Sequence, residues 1–233
     1  MRAEVRDGKA RQNGRAGRAN DPITVDGCPD APRLLLMRHG QTCANAAGYF
    51  LGGRDEGVTE QGEEQSRRAV AGLAAWRPDR IFTSPLSRCR TLIAEPAAAA
   101  LGVPCTVDER IREFDFGPLE GRTYAEVVEE DLPFPWGPGA KRWPPAEGGE
   151  RMEDFVARLS AAAHDYEQLE GRTAVICHGG VIRGFFSVWF SLGPDEINRL
   201  VVPNVSSAIF RSAPGNVSLE CFGLSPEMLG ECM

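Results

Sequence analysis

Leu34-Leu35-Leu36-Met37-Arg38-His39-Gly40 is an apolar run that closes on a basic pair and a glycine. Far along the chain, Ala174-Val175-Ile176-Cys177-His178-Gly179-Gly180 repeats the plan. Short apolar runs bounded by glycine read as strands buried on both faces, the kind that fill parallel sheets. The 233 residues include only three histidines, and two of them stand in this strand–His–Gly setting. A strand end that turns at glycine is where open α/β sheets place their chemistry. Glycine lets the backbone come close to a ligand and leaves amide N–H groups to face an anion.

Working outward, the first strand covers 33–37. Thr59 caps a helix over 60–75, with Ala69, Val70, Leu73 and Ala74 inward. Residues 79–83 read as a second strand. Ser84-Pro85 then has the grammar of a helix start, Ser at the cap and Pro at the first helical position. Pro96 is expected to bend or end that helix. A third strand is expected at 103–107, a short helix at 123–130 and an amphipathic helix at 150–169. A further strand at 173–177 precedes a buried helix at 180–192. Strands at 205–211 and 217–222 close the chain around Ala213-Pro214-Gly215-Asn216. The segment 131–149, rich in Pro, Gly and Trp, reads as an irregular excursion and a candidate lid. Alternating strands and helices predict an α/β fold, a three-layer α/β/α sandwich with a largely parallel central sheet.

Composition narrows the function. The chain is 42% hydrophobic and 25% charged, as expected of a globular protein. No run approaches the roughly 18 apolar residues of a membrane span. The net charge of −7 argues against nucleic acid as a partner, so any anion must be met by basic residues gathered locally. The seven cysteines are odd in number and lack Cys-x-x-Cys spacing. They fit neither a disulfide framework nor a zinc cage and read as reduced thiols of a cytoplasmic protein. Residues 1–31 carry Arg2, Arg6, Lys9, Arg11, Arg15 and Arg18 without apolar period and are expected to form a disordered basic extension. The expected organisation is that extension, one catalytic domain over 32–225, and a tail over 226–233.

Arg38, His39, Asn45, Arg88, Glu113 and His178 all fall at expected strand ends or in loops. Two arginines can hold the oxygens of a phosphoryl group bidentately. A neutral imidazole can attack phosphorus, and a carboxylic acid can protonate the departing oxygen. A second imidazole can donate to oxygens as charge redistributes. The amino end of the helix after Gly179 would add its dipole. Either histidine alone could equally be a satisfied core residue. His164, mid-helix beside Asp165, is expected to be structural. Three histidines without ligand spacing give no metal site, and no cofactor is implied.

Arg38-His39-Gly40, Ser84-Pro85-Leu86-x-Arg88, Glu113 before Phe116-Gly117-x-x-Glu120-Gly121, and His178-Gly179-Gly180 together resemble the histidine phosphatase superfamily. The similarity is to the branch that holds phosphoglycerate mutases and small phosphomonoesterases, and it runs from about residue 34 to 202. It implies that His39 is the phosphohistidine nucleophile. Arg38, Arg88 and His178 then bind the phosphoryl group, supplemented by Asn45. Glu113 becomes the proton donor and later the base that activates water. Gly40, Gln41, Thr42 and Gly179, beside the two histidines, complete the expected substrate-binding set. His39 must be neutral at its attacking nitrogen, so its other nitrogen needs an acceptor, expected to be a backbone carbonyl.

Mutases of this branch typically place Tyr three residues after the acid, Lys eight residues beyond it, and Asn after the second His-Gly. Here those positions are Phe116, Tyr124 and Gly180. A site lacking three polar groups leaves a substrate carboxylate unpaired. The expected partner is therefore a small phosphorylated metabolite, hydrolysed as by the broad-specificity and α-ribazole phosphatases that the chain resembles. A mutase-type phosphoryl transferase is the alternative. A phosphate-binding module without turnover is a third reading, although such relatives lack the nucleophile or the acid, and both are present here.

Overall fold

The two runs that open the reading form the middle of the sheet. In a computed structural model of the chain, β1 (Arg33–Arg38) and β4 (Arg172–Cys177) pair in parallel, with Arg38 opposite Cys177. His39 and His178 each stand one residue beyond that pair. Equal register and direction therefore carry both imidazoles to one edge of the sheet. The structure describes residues 32–132, 148–197, 199–213 and 215–232. The extension over 1–31, and Trp136, Lys141, Arg142 and Trp143 of the expected lid, lie outside them.

The elements follow in alternation. After β1 come α1 (Cys43–Ala47), α2 (Glu60–Trp76), β2 (Arg80–Thr83), α3 (Ser87–Cys89) and α4 (Glu95–Leu101). Then come β3 (Cys105–Val107), α5 (Tyr124–Glu129), α6 (Met152–Tyr166) and β4, followed by α7 (Gly179–Phe190), α8 (Pro194–Ile197), β5 (Ser207–Ala213) and β6 (Asn216–Leu224). The sheet order is β3-β2-β4-β1-β5-β6. The first four run parallel, and β5 and β6 are added antiparallel at one side. The expected largely parallel α/β architecture is what the chain adopts.

Alternation along β1 divides the core. Leu34 and Leu36 join Phe155, Leu159, Val181 and Phe185 of α6 and α7 on one face. Leu35 and Met37 join Leu73, Trp76, Ile93 and Ala97 on the other. A period of two with apolar residues at both parities needs cover on both sides. No helix among the described residues is long and apolar enough to cross a membrane, and the six described cysteines are free.

Several details differ from the sequence expectation. Ser84 does not cap a helix at Pro85; the helix starts at Ser87 with Leu86 as N-cap. Asp55 receives the Ser87 N–H at 2.8 Å and so supplies the capping oxygen from another loop. The helix also does not end at Pro96. A π turn (Arg90–Ala94) precedes α4, with the Glu95 N–H donating to Arg90 O. The wider turn carries the chain past a residue that has no N–H to give. The expected tail after 225 forms a 3₁₀ helix (Pro226–Glu231) whose Leu229 is fully buried against α2.

The loop after β1 lies tight on α2. A Cβ on Gly40 would come within 2.5 Å of Gly62 O, and one on Gly62 would strike Gln41 O. Gly62→Ala is therefore expected to destabilise by about 1–3 kcal/mol through overpacking, despite the better helix propensity of alanine. Urea denaturation of the variant measures it.

Candidate active site

A cleft of about 340 Å³ opens at the carboxyl ends of β1 and β4. Arg38, His39, Asn45, Arg88, Glu113, Gly179 and Gly180 line it. Segments far apart in the sequence thus meet around one cavity.

His39 forms the base of the cleft and is 4% exposed. Its Nδ1 lies 2.6 Å from Gly40 O. A carbonyl only accepts, so Nδ1 carries the hydrogen and Nε2 keeps its lone pair. Burial, with the charges of Arg88 and Arg38, holds this imidazole well below its ordinary pKa and thus neutral. The backbone is held as well. Its carbonyl accepts from the Val205 N–H at 3.2 Å and from Asn204 Nδ2 at 3.1 Å. Val205 adopts φ 52°, a left-handed conformation that is costly for a β-branched residue.

His178 lies 5.2 Å from His39, centroid to centroid, with the rings tilted by 60°. It is fully buried and contributes no surface to the cleft. The second imidazole therefore sits behind the first. Its Nε2 is 2.7 Å from Ser84 Oγ, which explains why that serine is not a helix cap. Cys89 Sγ packs 3.6 Å from the same nitrogen and 3.3 Å from Cys177 O. Burial pushes the Cys89 thiol well up, so it acts as a packed thiol, not a thiolate. Burial and the charge of Arg88 also hold His178 well below its ordinary pKa.

Those two shifts have a consequence for stability. The folded state resists protonating either ring, whereas the unfolded chain takes protons below pH ~6.5. Stability is complete above that pH and falls as pH drops through it, by about 1.4 kcal/mol per pH unit per histidine. Unfolding followed at pH 7.5 and 5.5 is expected to show this slope, and His178→Gln to reduce it.

The guanidinium groups are positioned by backbone carbonyls. Arg88, 1% exposed, donates from Nη1 to Arg54 O at 2.7 Å and from Nη2 to Gly52 O at 2.8 Å. Arg38 Nη1 donates to Val202 O at 2.6 Å. The Nε of each is buried without a hydrogen-bond partner among the described residues, so each keeps an N–H for another oxygen. Burial lowers Arg38 to about 10, which leaves it charged at neutral pH.

Glu113 Oε2 accepts from the Gly180 N–H at 3.2 Å, and Oε1 from the Phe114 N–H at 3.0 Å. The amino end of α7 thus holds the carboxylate instead of standing open to an anion. Arg158 of α6 fixes the backbone beneath, donating to Arg110 O at 2.5 Å and Glu113 O at 3.3 Å while paired with Glu150.

The other expected contacts divide. Asn45 lines the cleft, but its Oδ1 accepts from Thr42 N and Asn204 Nδ2, so its NH₂ is the part that faces outward chemistry. Gly179 lines the cleft beside Arg38. Gly40, Gln41 and Thr42 do not line it. Gly40 packs on α2, Gln41 bonds Gln65 and Thr59, and Thr42 caps α1. His164, on α6, does not line the cleft. The sequence reading missed Arg183, Asn204 and Phe50, which also line the cleft, as do Phe116 and Tyr124, the occupants of the mutases' substrate-reading positions. Arg183 had a signal: it stands one helical turn after Gly179, on the same face. Asn204 lies in a loop without period and had none.

Residues 34–224 match the family model "Histidine phosphatase superfamily (branch 1)". The chain belongs to this superfamily. Among curated relatives, sedoheptulose 1,7-bisphosphatase of Saccharomyces cerevisiae is 32% identical over 71% of this chain and 70% of its own length. A 2,3-bisphosphoglycerate-dependent phosphoglycerate mutase of Azorhizobium caulinodans is also 32% identical, over 76% and 91%. Among solved structures, a mycobacterial glucosyl-3-phosphoglycerate phosphatase in complex with VO₃ superposes with TM-score 0.69, at 25% identity over 83% of this chain and 99% of its own. The relatives of this chain thus include both phosphatases and mutases.

Proposed function

We propose that the chain is a phosphomonoesterase that hydrolyses small phosphate esters through a phosphohistidine at His39, without a metal ion. The observation that carries this reading is the His39 Nδ1 contact to Gly40 O at 2.6 Å within a ring of guanidinium groups. It leaves an unprotonated Nε2 facing a site built for an oxyanion.

In the first step His39 Nε2 attacks phosphorus, the P–O ester bond breaks, and Glu113 gives its proton to the departing oxygen. Arg38 and Arg88 hold the phosphoryl oxygens throughout, and the acceptor at Gly40 stabilises the positive imidazole that forms. In the second step Glu113 removes a proton from water, which attacks phosphorus and frees His39 as phosphate leaves. His178, held by Ser84, closes the floor behind the nucleophile.

Hydrolysis rather than mutation is supported by Phe116 and Tyr124. They pack on Phe50 at 4.9 and 4.2 Å; Phe116 offers no hydroxyl where mutases carry Tyr, and Tyr124 no cation where they carry Lys. The expected activity is release of phosphate from p-nitrophenyl phosphate, persisting in EDTA. Strict dependence on an added divalent metal would overturn the metal-independent mechanism. Rapid isomerisation of 3-phosphoglycerate in the presence of a bisphosphoglycerate primer, with negligible phosphate release, would replace the hydrolase by a mutase.

A further inference from the structure

Resting on that reading, we propose that Glu120 is a positioning residue for the phosphoryl site, because it aims the peptide group that holds Arg88. Glu120 closes the Phe116–Gly121 stretch and does not line the cleft. Its side chain is 5% exposed. Its Oε1 accepts the Gly53 N–H at 2.9 Å. The carbonyl of that same peptide unit, Gly52 O, accepts from Arg88 Nη2 at 2.8 Å. A trans peptide is planar, so its N–H and C=O point opposite ways. Holding the N–H towards Glu120 therefore turns the C=O towards Arg88. The carboxylate also polarises the peptide and makes Gly52 O a stronger acceptor at the far end. Glu120 Oε2 pairs with Arg54 Nε at 3.1 Å, and the Arg54 carbonyl is the second acceptor of Arg88, at 2.7 Å. One buried side chain thus grips the backbone beside each of the two carbonyls that orient the guanidinium.

The surroundings support the assignment. Gly52 has φ 54°, and a Cβ on it would lie 2.1 Å from Glu120 Oε1 and 2.8 Å from Phe114 O. Only glycine lets the carboxylate come so near. Phe50 brings the two segments together: its N–H donates to Arg122 O at 2.9 Å, and its carbonyl accepts from the Gly121 N–H at 2.7 Å. The Asp55 carboxylate also lies beside Arg88, with Oδ1 4.0 Å from Nη1. It is engaged by the Ser87 N–H and hydroxyl, each at 2.8 Å, so it supplies charge while the carbonyls supply direction. The Arg88 Nε, buried without a hydrogen-bond partner among the described residues, is then left facing a phosphoryl oxygen. Without an acceptor for the Gly53 N–H the peptide is free to rotate, and the guanidinium with it. Glu120 Oε1 also accepts from the Phe116 N–H at 3.3 Å, three residues after the proton donor, so the two loops must be told apart by experiment.

Affinity for inorganic phosphate, measured by calorimetric titration, reads the phosphoryl site without turnover. In Glu120→Ala the Kd is expected to rise about 5- to 30-fold, a share of one charged hydrogen bond. The kcat/KM values for p-nitrophenyl phosphate and for alkyl phosphates should fall alike, because both esters meet Arg88 through the phosphoryl group. Glu120→Gln keeps an oxygen for the Gly53 N–H and should stay within about threefold of the unaltered protein. Glu120→Asp keeps the charge but is one methylene short, and should resemble Glu120→Ala. That contrast decides the matter even where the alanine variant does not fold. In an Arg88→Met background, Glu120→Ala should cost little more. A folded Glu120→Ala with unchanged phosphate affinity and kcat/KM would overturn the inference and leave the hydrolase intact. So would the reverse order of the Gln and Asp variants, a loss confined to alkyl esters, or losses that add in the double variant. The expected shifts in phosphate affinity in a protein inert towards every ester would remove the hydrolase reading and keep Glu120 in its role. A protein that neither binds phosphate nor hydrolyses any ester removes both.

Discussion

His39→Ala is expected to lose at least about 10⁴-fold in kcat for p-nitrophenyl phosphate, because no other group that lines the cleft among the described residues can take its part. His178 has no surface in the cleft while His39 stands before it, and its Nε2 is held by Ser84 Oγ at 2.7 Å. The cysteines that approach it, Cys89 and Cys177, are fully buried, with thiols pushed far up by desolvation. The arginines carry protons and cannot attack. The variant should still fold, since the ring makes a single hydrogen bond, to Gly40 O, and its removal only deepens the base of a polar cleft. Steady-state kinetics with inactive protein shown to be folded by its thermal transition checks the point. Residual hydrolysis within about tenfold of the original would mean that water attacks the ester directly.

The second large effect belongs to Glu113→Gln. The amide keeps the volume of the acid, and its single oxygen can still accept from one of the Gly180 and Phe114 N–H groups, which bond different oxygens of the carboxylate. What it loses is the proton for the departing oxygen. General acid catalysis contributes roughly 10²- to 10⁴-fold, and esters of alkyl alcohols should lose an amount in that range. p-Nitrophenyl phosphate needs far less protonation of its leaving group and should lose considerably less in its first step. Comparing kcat/KM for the two ester types in the same variant isolates the effect. Equal losses would show that Glu113 positions the substrate without donating to it.

How far the sequence foretold this arrangement can be judged residue by residue. The placement of His39 and His178 was legible because two buried parallel strands leave a period-free apolar signature, and each ends on the same His-Gly. Their register, Arg38 opposite Cys177, then brings the rings together. The order of depth was not legible. That His178 lies behind His39 depends on Ser84, which reads as a helix cap by local grammar but is drawn to His178 Nε2 at 2.7 Å. Tertiary hydrogen bonding overrode a local propensity there, as it did when Asp55 rather than Ser84 took the start of α3.

The same limit explains Gly40, Gln41 and Thr42. Adjacency to the nucleophile suggested contact with substrate, but the close approach of α2 at Gly62 consumes all three in packing and capping. Arg183 was missed for the opposite reason. Its helix is apolar on nearly every face, and a single arginine there reads as a solvated exception. Only the fold shows that it turns towards the cleft beside Gly179.

The covalent phosphohistidine is the claim on which the catalytic account rests. Mixing the protein with a phosphate ester and quenching in alkali within one turnover should trap one phosphoryl group on the peptide that contains His39, stable to base and lost in acid. A phosphoryl group found on another residue would contradict the account, as would single-turnover hydrolysis with no phosphorylated protein at any quench time.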